Sequence, residues 1–283
     1  MTLLVDSHCH LDFPDFNPQA RAEKGEQGGT KDAETLDVFV NRAHEAGVGH
    51  MLTICTHPER IAATHAIIER FASVYGAAGV HPHEAATPSA MAMTDDDIAA
   101  LAAHPKIVGI GETGLDFYYD HAPKAVQEEG FRRHCRVARR LGLPIIVHTR
   151  DADDDTIRIL TDEARTEEGG ADLPPLTGVI HCFSGGPGLA EAAVDLGFMI
   201  SFSGILTFRR SEEIRAIAQS VPMENLLVET DAPYLAPMPK RGKRNEPSYV
   251  VHTARILAEV KAVDFDDLAA ATTANFFRLL AKI

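Results

Sequence analysis

Segments typical of β-strands alternate with amphipathic helical patterns along the whole chain, and this alternation restricts the possible folds more than any other feature. The first strand-like run ends at residues 5–10, and seven more follow at 50–55, 74–80, 106–111, 144–147, 177–180, 198–202 and 225–228. Strands that alternate with helices in this way form parallel sheets covered by helices. Eight such units predict an α/β protein with a single (β/α)8 TIM barrel.

The helical patterns are clearest in two places. Apolar residues recur at helical spacing over 36–43, and again over 131–141, where Gly142 follows directly. A glycine in that position is typical of a helix C-terminus. Two further helical patterns, at 250–260 and 268–280, follow the last strand. We therefore expect one of these two to be an appended or closing helix.

No change of composition along the chain marks a domain boundary. We expect one domain over residues 1–283, with a polar loop insertion at about 17–33 after the first strand. The alternative architecture is an open doubly wound sheet. No GxGxxG motif follows the first strand, and eight units suit closure better, so the barrel is favoured.

The composition is that of a folded, acidic protein. Hydrophobic residues make up 45% of the 283 residues, which is enough for a large core. The formal net charge of −14 argues against a broad binding surface for duplex DNA or an anionic membrane. The four cysteines form no CxxC motif, so neither a disulfide framework nor a zinc–thiolate site is predicted. The N-terminal residues are unlike a signal peptide and no apolar stretch is long enough to span a membrane, so we expect a cytoplasmic protein.

Polar side chains cluster at the predicted C-terminal ends of six strands. These side chains are His8, His10, His81, His83, Glu112, His148, Arg150, His181, Glu229 and Asp231. The C-terminal ends of barrel strands meet at one mouth, where barrel enzymes carry their active sites. A single histidine is more often an ordinary core or surface residue, but that explanation requires the same accident in six of the eight units.

The clustered side chains are suited to divalent metal ions. His8 and His10 are spaced i, i+2 on a strand, so their imidazoles point to the same face and can share one cation. Histidine with carboxylate suits zinc or manganese, and the carboxylates keep magnesium possible. A carboxylate on a central strand can bridge two ions roughly 3.5–4 Å apart. We therefore expect two divalent ions, Mg, Mn or Zn.

Seven motifs, in order across most of the chain, carry a family resemblance. They are DSHCHLD at 6–12, GVHPH at 79–83, GIGETGLD at 109–116, HTRDA at 148–152, HCFSG at 181–185, ETDAPYLAP at 229–237 and RGKRNEP at 241–247. With these motifs the sequence resembles the TatD family of metal-dependent deoxyribonucleases, a family within the amidohydrolase-like metal-dependent hydrolases. Ala232 stands where many members carry serine, and the polar insertion after strand one is a larger departure at the rim of the site.

The resemblance implies a ligand set for the two ions. His8, His10, Glu112 and Asp231 would hold one ion, and Glu112, His148 and His181 would hold the other. Glu112 would then be the bridge. Related hydrolases that are similar to phosphotriesterases and dihydroorotases carry a modified lysine as the bridge on strand four, so a glutamate at this position favours the TatD-like interpretation.

The remaining polar residues have weaker assignments. His81 and His83 could contact substrate or a leaving group, or His83 could order its loop through a hydrogen bond. Glu229 is a candidate for orienting a ligand or a water, with a buried salt bridge as the alternative. Asp12 is expected to be structural and Cys9 to be a packing residue. Three arginines are suited to bidentate phosphate binding, although exposed arginines are usually only solvated: Arg150, Arg241 and Arg244.

We expect hydrolysis of a phosphodiester bond, with Glu112 and Asp231 as catalytic residues. A hydroxide that bridges the metals would attack phosphorus, while Asp231 orients that water or accepts its proton. The resemblance adds single-stranded DNA or other nucleic-acid ends as substrate. One alternative is a hydrolase of a small ester, lactone or amide. A non-catalytic metal-binding protein is disfavoured, because histidine–carboxylate ligation at an open mouth leaves room for water. The sequence does not determine the oligomeric state.

Overall fold

Eight parallel strands form one sheet in the computed structural model, which describes residues 3–16, 34–119, 121–165 and 173–280. Each strand pairs with the next along the chain. The strands are β1 (Leu4–Cys9), β2 (Val48–Cys55), β3 (Val74–Ala78), β4 (Ile107–Asp116), β5 (Ile145–Arg150), β6 (Gly178–Ile180), β7 (Met199–Phe202) and β8 (Leu226–Val228). The polar insertion predicted at 17–33 lies outside the described residues.

The barrel closes where the chain after β8 meets β1. The backbone N–H of Asp231 donates to the carbonyl oxygen of His8 at 2.9 Å, and the N–H of His10 donates to that of Ala232 at 2.8 Å. These bonds complete the circle of strands, and the predicted TIM barrel is confirmed. They also place Asp231 directly beside the two histidines of the first strand.

Helices follow the strands on the outside of the barrel. They are α1 (Leu36–Glu45), α2 (Ile61–Arg70), α3 (Pro88–Ala92), α4 (Asp95–Leu101), α5 (Lys124–Leu141), α6 (Asp153–Arg165), α7 (Pro187–Asp195), α8 (Glu212–Ser220), α9 (Val250–Lys261) and α10 (Phe265–Leu279). As the sequence predicts, α5 ends at Gly142, which has a left-handed backbone with φ 63°. Two helices also follow β8, as expected.

Strand β4 is longer than the sequence pattern indicates. The apolar run predicts an end at residue 111, yet β4 pairs with β5 as far as Asp116, which is opposite Arg150. Gly114 makes this pairing possible, because a Cβ at this position would lie 2.0 Å from the carbonyl oxygen of His148. Glu112 and Asp116 therefore both lie on a rigid strand beside β5, and not in a loop.

Two apolar clusters support the barrel. The smaller one takes residues from all eight strands together with Phe276 and Leu280, so it fills the barrel interior. The larger one packs the strands against the surrounding helices. Helix α10 covers the N-terminal end of the barrel, where Asn275 donates to the carbonyl oxygens of Met223 and Leu226. The opposite end, at the C-termini of the strands, remains open as a cavity of about 1730 Å³.

Candidate metal centre

The predicted ligand residues come together at the floor of this cavity. His10, Glu112, His148, His181 and Asp231 all line it, and His8 is fully buried beneath them. In the described part of the chain, three groups of side chains are each compact enough to hold one ion: His8, His10 and Glu112; His81, Glu112 and His148; and His8, His181 and Glu229. The first two groups share Glu112, so this carboxylate lies between two potential ion positions.

One oxygen of Glu112 faces the histidines of β1, and we call this group the His8 side: His8, His10, Asp231 and Glu112 Oε2. His8 Nε2 lies 3.3 Å and His10 Nε2 lies 3.8 Å from Glu112 Oε2. Asp231 Oδ1 lies 3.3 Å from His10 Nε2 and 3.9 Å from His8 Nε2. Four donor atoms therefore converge on one small volume.

The His8 side contains buried polar atoms that have no hydrogen-bond partner among the described residues. Both ring nitrogens of His8 and Oε2 of Glu112 lack a hydrogen-bond partner, although their side chains are only 1% and 2% exposed. Leaving such atoms unpaired away from water is costly, and native structures rarely do so. A cation at this point would bind the lone pairs of His8 Nε2 and Glu112 Oε2, with the proton of the neutral His8 ring on Nδ1, so the residues present fit a metal ion.

The other oxygen of Glu112 faces strands β3, β5 and β6, and we call this group the His148 side: His148, His181, His81 and Glu112 Oε1. The distances to Oε1 are 2.8 Å from His181 Nε2, 2.9 Å from His148 Nδ1 and 3.3 Å from His81 Nε2. His148 Nδ1 also lies 3.3 Å from His181 Nε2. Three imidazoles therefore surround a single carboxylate oxygen.

Partners behind the rings fix which nitrogen of each histidine faces the centre. His181 Nδ1 lies 3.3 Å from Oε1 of Glu229, which also accepts the backbone N–H of Cys182 at 2.8 Å. His10 Nδ1 lies 3.4 Å from the carbonyl oxygen of Ile54. A proton placed on these outer nitrogens leaves the inner Nε2 lone pairs free, which is the usual arrangement behind a metal-binding histidine. Glu229, 0% exposed, is thus the carboxylate that orients His181.

Asp116 has the same relation to His148, a role that the sequence pattern did not predict. Its Oδ2 lies 3.2 Å from His148 Nε2 and 2.8 Å from His83 Nε2. A proton on His148 Nε2 leaves the Nδ1 lone pair directed at Glu112. Glu112 and Asp116 are four residues apart, so strand alternation places them on one face. That alternation would have identified Asp116, had the strand been predicted to continue beyond residue 111.

His81 is oriented in the opposite way. Its Nδ1 accepts the backbone N–H of His83 at 3.1 Å, as the cap of a short 3-10 helix (Pro82–Glu84). Burial lowers the pKa of His81 to about 4, so the ring is neutral at pH 7 and carries its proton on Nε2. His81 therefore directs an N–H, and not a lone pair, at Glu112 and the cavity, so it does not offer a ligand atom to an ion held by Glu112 and His148.

Charge in the cluster keeps the carboxylates ionised. Burial opposes ionisation of Glu112, but the charge of His181 and hydrogen bonds from His148 and His181 hold its pKa well below the usual range. Burial likewise opposes ionisation of Asp231, and the hydrogen bond from His10 lowers its pKa. The same pairings raise the pKa of His181 and His148 against the effect of burial. Binding of a cation would therefore release protons from these rings.

The remaining predicted residues divide between the cavity and other places. Arg150 lines the cavity, and His83 lies at its edge, joined to Asp116. Arg241 packs on Phe208, 4.3 Å from the ring centre, and does not line the cavity. Arg244 pairs with Glu34 at 3.1 Å, so the structure does not bring these two arginines to the metal centre.

Asp12 and Cys9 have the surroundings expected of a structural residue and a packing residue. Asp12 is buried and pairs with Arg60 at 2.6 Å. Cys9 is fully buried, with Sγ 3.4 Å from the carbonyl oxygen of Leu52.

None of the helices in the described ranges has both the length and the apolar character that crossing a membrane requires.

Comparison with known proteins identifies the family. The sequence pattern of the family described as "TatD related DNase" matches residues 5–281. "Uncharacterized metal-dependent hydrolase YcfH" of Escherichia coli K12 is 41% identical over 276 residues, which cover 98% of this chain and 95% of that protein. "3'-5' ssDNA/RNA exonuclease TatD" of Citrobacter koseri is 36% identical over 244 residues, covering 84% of this chain and 90% of that protein.

A solved structure of the same family has the same fold. The crystal structure of YjjV, a TatD homologue from Escherichia coli K12, superposes with a TM-score of 0.83 at 29% identity and covers 98% of both chains. The family pattern spans nearly the whole chain, and histidine and carboxylate groups able to bind metal lie where barrel enzymes carry their active sites. The chain belongs to the TatD-related DNase family and is a metal-dependent hydrolase.

Proposed function

We propose that the protein hydrolyses phosphodiester bonds at the ends of single-stranded nucleic acid, using two divalent metal ions. The observation that carries this proposal is the position of Glu112, whose two oxygens face two separate sets of histidine nitrogens. A pair of metal ions sharing one carboxylate suits in-line displacement at phosphorus. The family pattern and the name of the relative from Citrobacter koseri support nucleic acid as the substrate.

Each ion would have its own set of ligands. His8, His10, Glu112 and Asp231 would hold the first ion, on the His8 side. Glu112, His148 and His181 would hold the second ion, on the His148 side. Mixed nitrogen and carboxylate ligands suit Mn or Zn, and the carboxylates also admit Mg. The chemistry supplied by such ions is activation of water and stabilisation of charge on the phosphoryl oxygens.

The protein side chains would bind and orient the substrate and move its protons. The carboxylate of Asp231, 13% exposed and held ionised by His10, would accept a proton from the attacking water. His81 would donate its Nε2–H to an oxygen of the phosphate, because its tautomer is fixed by the backbone N–H of His83. Arg150 would bind the neighbouring phosphate through its guanidinium.

The test is reconstitution of metal-free protein with Mg²⁺, Mn²⁺ or Zn²⁺, followed by a substrate panel. The panel contains labelled single-stranded DNA and RNA, bis(p-nitrophenyl) phosphate, p-nitrophenyl acetate and a lactone. We expect metal-dependent release of nucleotides from the single strands, and its loss in Asp231→Asn. Glu69→Gln, at an exposed glutamate on α2 remote from the cavity, is the control and should retain activity.

Three results would contradict the proposal in different ways. Turnover of esters or lactones without phosphodiester turnover would make the protein a small-molecule hydrolase. Metal binding without turnover of any substrate would make it a non-catalytic metal-binding protein. Full nuclease activity in Asp231→Asn would remove the role given to that carboxylate.

A further inference from the structure

Aromatic side chains are exposed at one edge of the cavity, directly after β4. Tyr118 is 58% exposed and Tyr119 is 43% exposed, and their ring centres lie 4.8 Å apart in an edge-to-face arrangement. The ring of Tyr119 also stacks on that of His121 at 5.5 Å. Contiguous aromatic rings that are exposed beside a cavity are a candidate binding surface.

A guanidinium is held on these rings. Arg150 Cζ lies 3.9 Å from the ring centre of Tyr118 and 4.9 Å from that of Tyr119. Within the described part of the chain, no carboxylate forms an ion pair with Arg150. A guanidinium held face-on to aromatic rings keeps its N–H edge available for a phosphate. A flat ring and a free cation are the two elements that single-stranded nucleic-acid sites combine.

Asp116 joins this aromatic edge to the metal centre. Its Oδ1 accepts the backbone N–H groups of Tyr118 and Tyr119, each at 3.0 Å, while its Oδ2 lies beside His148 and His83. The ring of His83 lies 5.3 Å from that of Tyr119 and 6.2 Å from that of His148. Only one ring therefore separates Tyr119 from a metal ligand, so a nucleotide whose phosphate is at the centre can extend its base onto Tyr119.

Charge favours the same edge for the path of a nucleic-acid strand. Lys124 and Arg150 are the lysine and arginine side chains among the described residues lining the cavity. Lys124 Nζ lies 3.9 Å from the ring centre of Phe117, next to Tyr118. Several carboxylates also line the cavity and would repel phosphates, including Asp151 next to Arg150: Asp151, Asp153, Asp154, Asp155 and Glu213.

We propose that Tyr118, Tyr119 and Arg150 form a nucleotide shelf, on which bases stack next to the metal centre while Arg150 binds a phosphate. Tyr119 lines the cavity and would hold the base of the nucleotide nearest the scissile bond. Tyr118, the more exposed ring, would hold the next base outward. This inference rests on the proposed function, because it gives that function a base-recognition site. Stacking accepts every base, so the shelf predicts little sequence preference.

The first test measures stacking without turnover. Protein in EDTA is titrated into a single-stranded hexanucleotide that carries 2-aminopurine at one end, whose fluorescence is quenched by stacking. We expect quenching by the wild type, and in Tyr119→Ala a loss of quenching with affinity about tenfold weaker. Tyr119→Phe keeps the ring and should restore both. Tyr234→Ala is the matched control, since Tyr234 is a 54% exposed tyrosine that also lines the cavity.

The second test is a double-mutant cycle on the metal-loaded enzyme. An oligonucleotide with an abasic residue at its end keeps every phosphate but has no base to stack. We expect the KM of the wild type to be about tenfold higher for the abasic substrate than for the intact one. In Tyr119→Ala the ratio of these two KM values should fall toward one. The change should appear mainly in KM, with kcat less affected. Met91→Ala, at a 61% exposed methionine away from the cavity, should retain the preference.

The outcomes separate failure of the shelf from failure of the proposed function. Nuclease activity in the wild type, with unchanged quenching and base preference in Tyr119→Ala, would overturn the shelf and leave the proposed function intact. Loss of quenching in Tyr234→Ala but not in Tyr119→Ala would move the site to the other side of the mouth and also overturn it. A wild type that neither binds nor hydrolyses nucleic acid would remove both proposals.

Discussion

The two oxygens of Glu112 face surroundings that differ in how far the protein alone satisfies them. On the His8 side, His8 and Glu112 Oε2 are buried without a hydrogen-bond partner among the described residues, and only His10 is paired, with Asp231 at 3.3 Å. On the His148 side, His148 Nδ1 contacts Glu112 and its Nε2 contacts Asp116. Unpaired buried lone pairs favour cation binding, whereas paired ones must first lose their protons. We therefore expect the ion on the His8 side to bind more tightly.

The largest effect should follow from removing the carboxylate that the two sides share. Glu112→Gln deletes the negative charge between both sets of histidines, so we expect loss of both ions and a fall in kcat/KM of more than about 10³-fold. Metal analysis after gel filtration and steady-state kinetics measure these effects. A variant that kept both ions and its activity would show that Glu112 is not the shared ligand.

The next largest effect should be on the rise in Tm that metal binding causes, which can be compared between variants of the His8 side and the His148 side. An ion present at about 1,000 times its Kd stabilises the folded state by about 4 kcal/mol, so saturating metal should raise the Tm by roughly 5–10 °C relative to EDTA. We expect His8→Ala to lose most of this shift and His148→Ala to keep most of it. Differential scanning calorimetry with and without EDTA provides the measurement. Equal losses in the two variants would remove the distinction between the sides.

A smaller effect should arise from the carboxylates that orient the histidines. Asp116→Asn presents an amide in place of a carboxylate to His148 Nε2, so the ring is no longer held in the metal-binding tautomer. We expect affinity for the ion on the His148 side to fall about 10–100-fold, with the ion on the His8 side retained. Glu229→Gln makes the matched change behind His181. Titration calorimetry with Mn²⁺ resolves the binding of the two ions. If the affinity for the ion on the His148 side is the same in Asp116→Asn as in the wild type, Asp116 does not orient His148 for metal binding.

The fold could be predicted from the sequence because each strand and helix is marked by a pattern within its own segment of the chain. Apolar runs and helical stripes mark the strands and helices, and even the two helices after β8 are visible in the pattern. The extension of β4 to Asp116 was missed because it depends on pairing with β5, which no local pattern contains. The glycines and polar residues of GIGETGLD resemble a loop until the neighbouring strand is present.

The candidate site could be predicted in its residue types but not in their roles. His8, His10 and Asp231 follow from their places at strand ends. Their tautomers depend on partners far away in the sequence, such as Ile54 for His10. The presence of an arginine in a sequence motif is weak evidence for phosphate binding, because tertiary contacts determine where its guanidinium lies. Arg244, for example, is engaged by Glu34 outside the cavity.

The smallest expected effect is on folding stability, and it comes from His134, which contacts the backbone beside His81 on the His148 side. His134 on α5 is buried, accepts the backbone N–H of Val80 at Nε2 (3.2 Å) and donates from Nδ1 to the carbonyl oxygen of Gly130 (2.7 Å). Burial lowers the pKa of His134 to about 4, so the folded protein holds it neutral. The unfolded chain takes up a proton near pH 6.5, and the folded protein does so only near pH 4. The contribution of His134 to stability is therefore complete above pH 6.5 and is lost as the pH falls toward 4, by about 3 kcal/mol in all.

His134→Gln separates this contribution from that of the other histidines. Glutamine can accept the N–H of Val80, the residue before His81, but it does not titrate. We expect the free energy of unfolding in EDTA to fall less steeply between pH 6.5 and 4 in the variant than in the wild type, by urea denaturation at each pH. Because the other titrating histidines are the same in both proteins, their contributions cancel in the difference. Identical slopes would mean that His134 does not exclude a proton in the folded state.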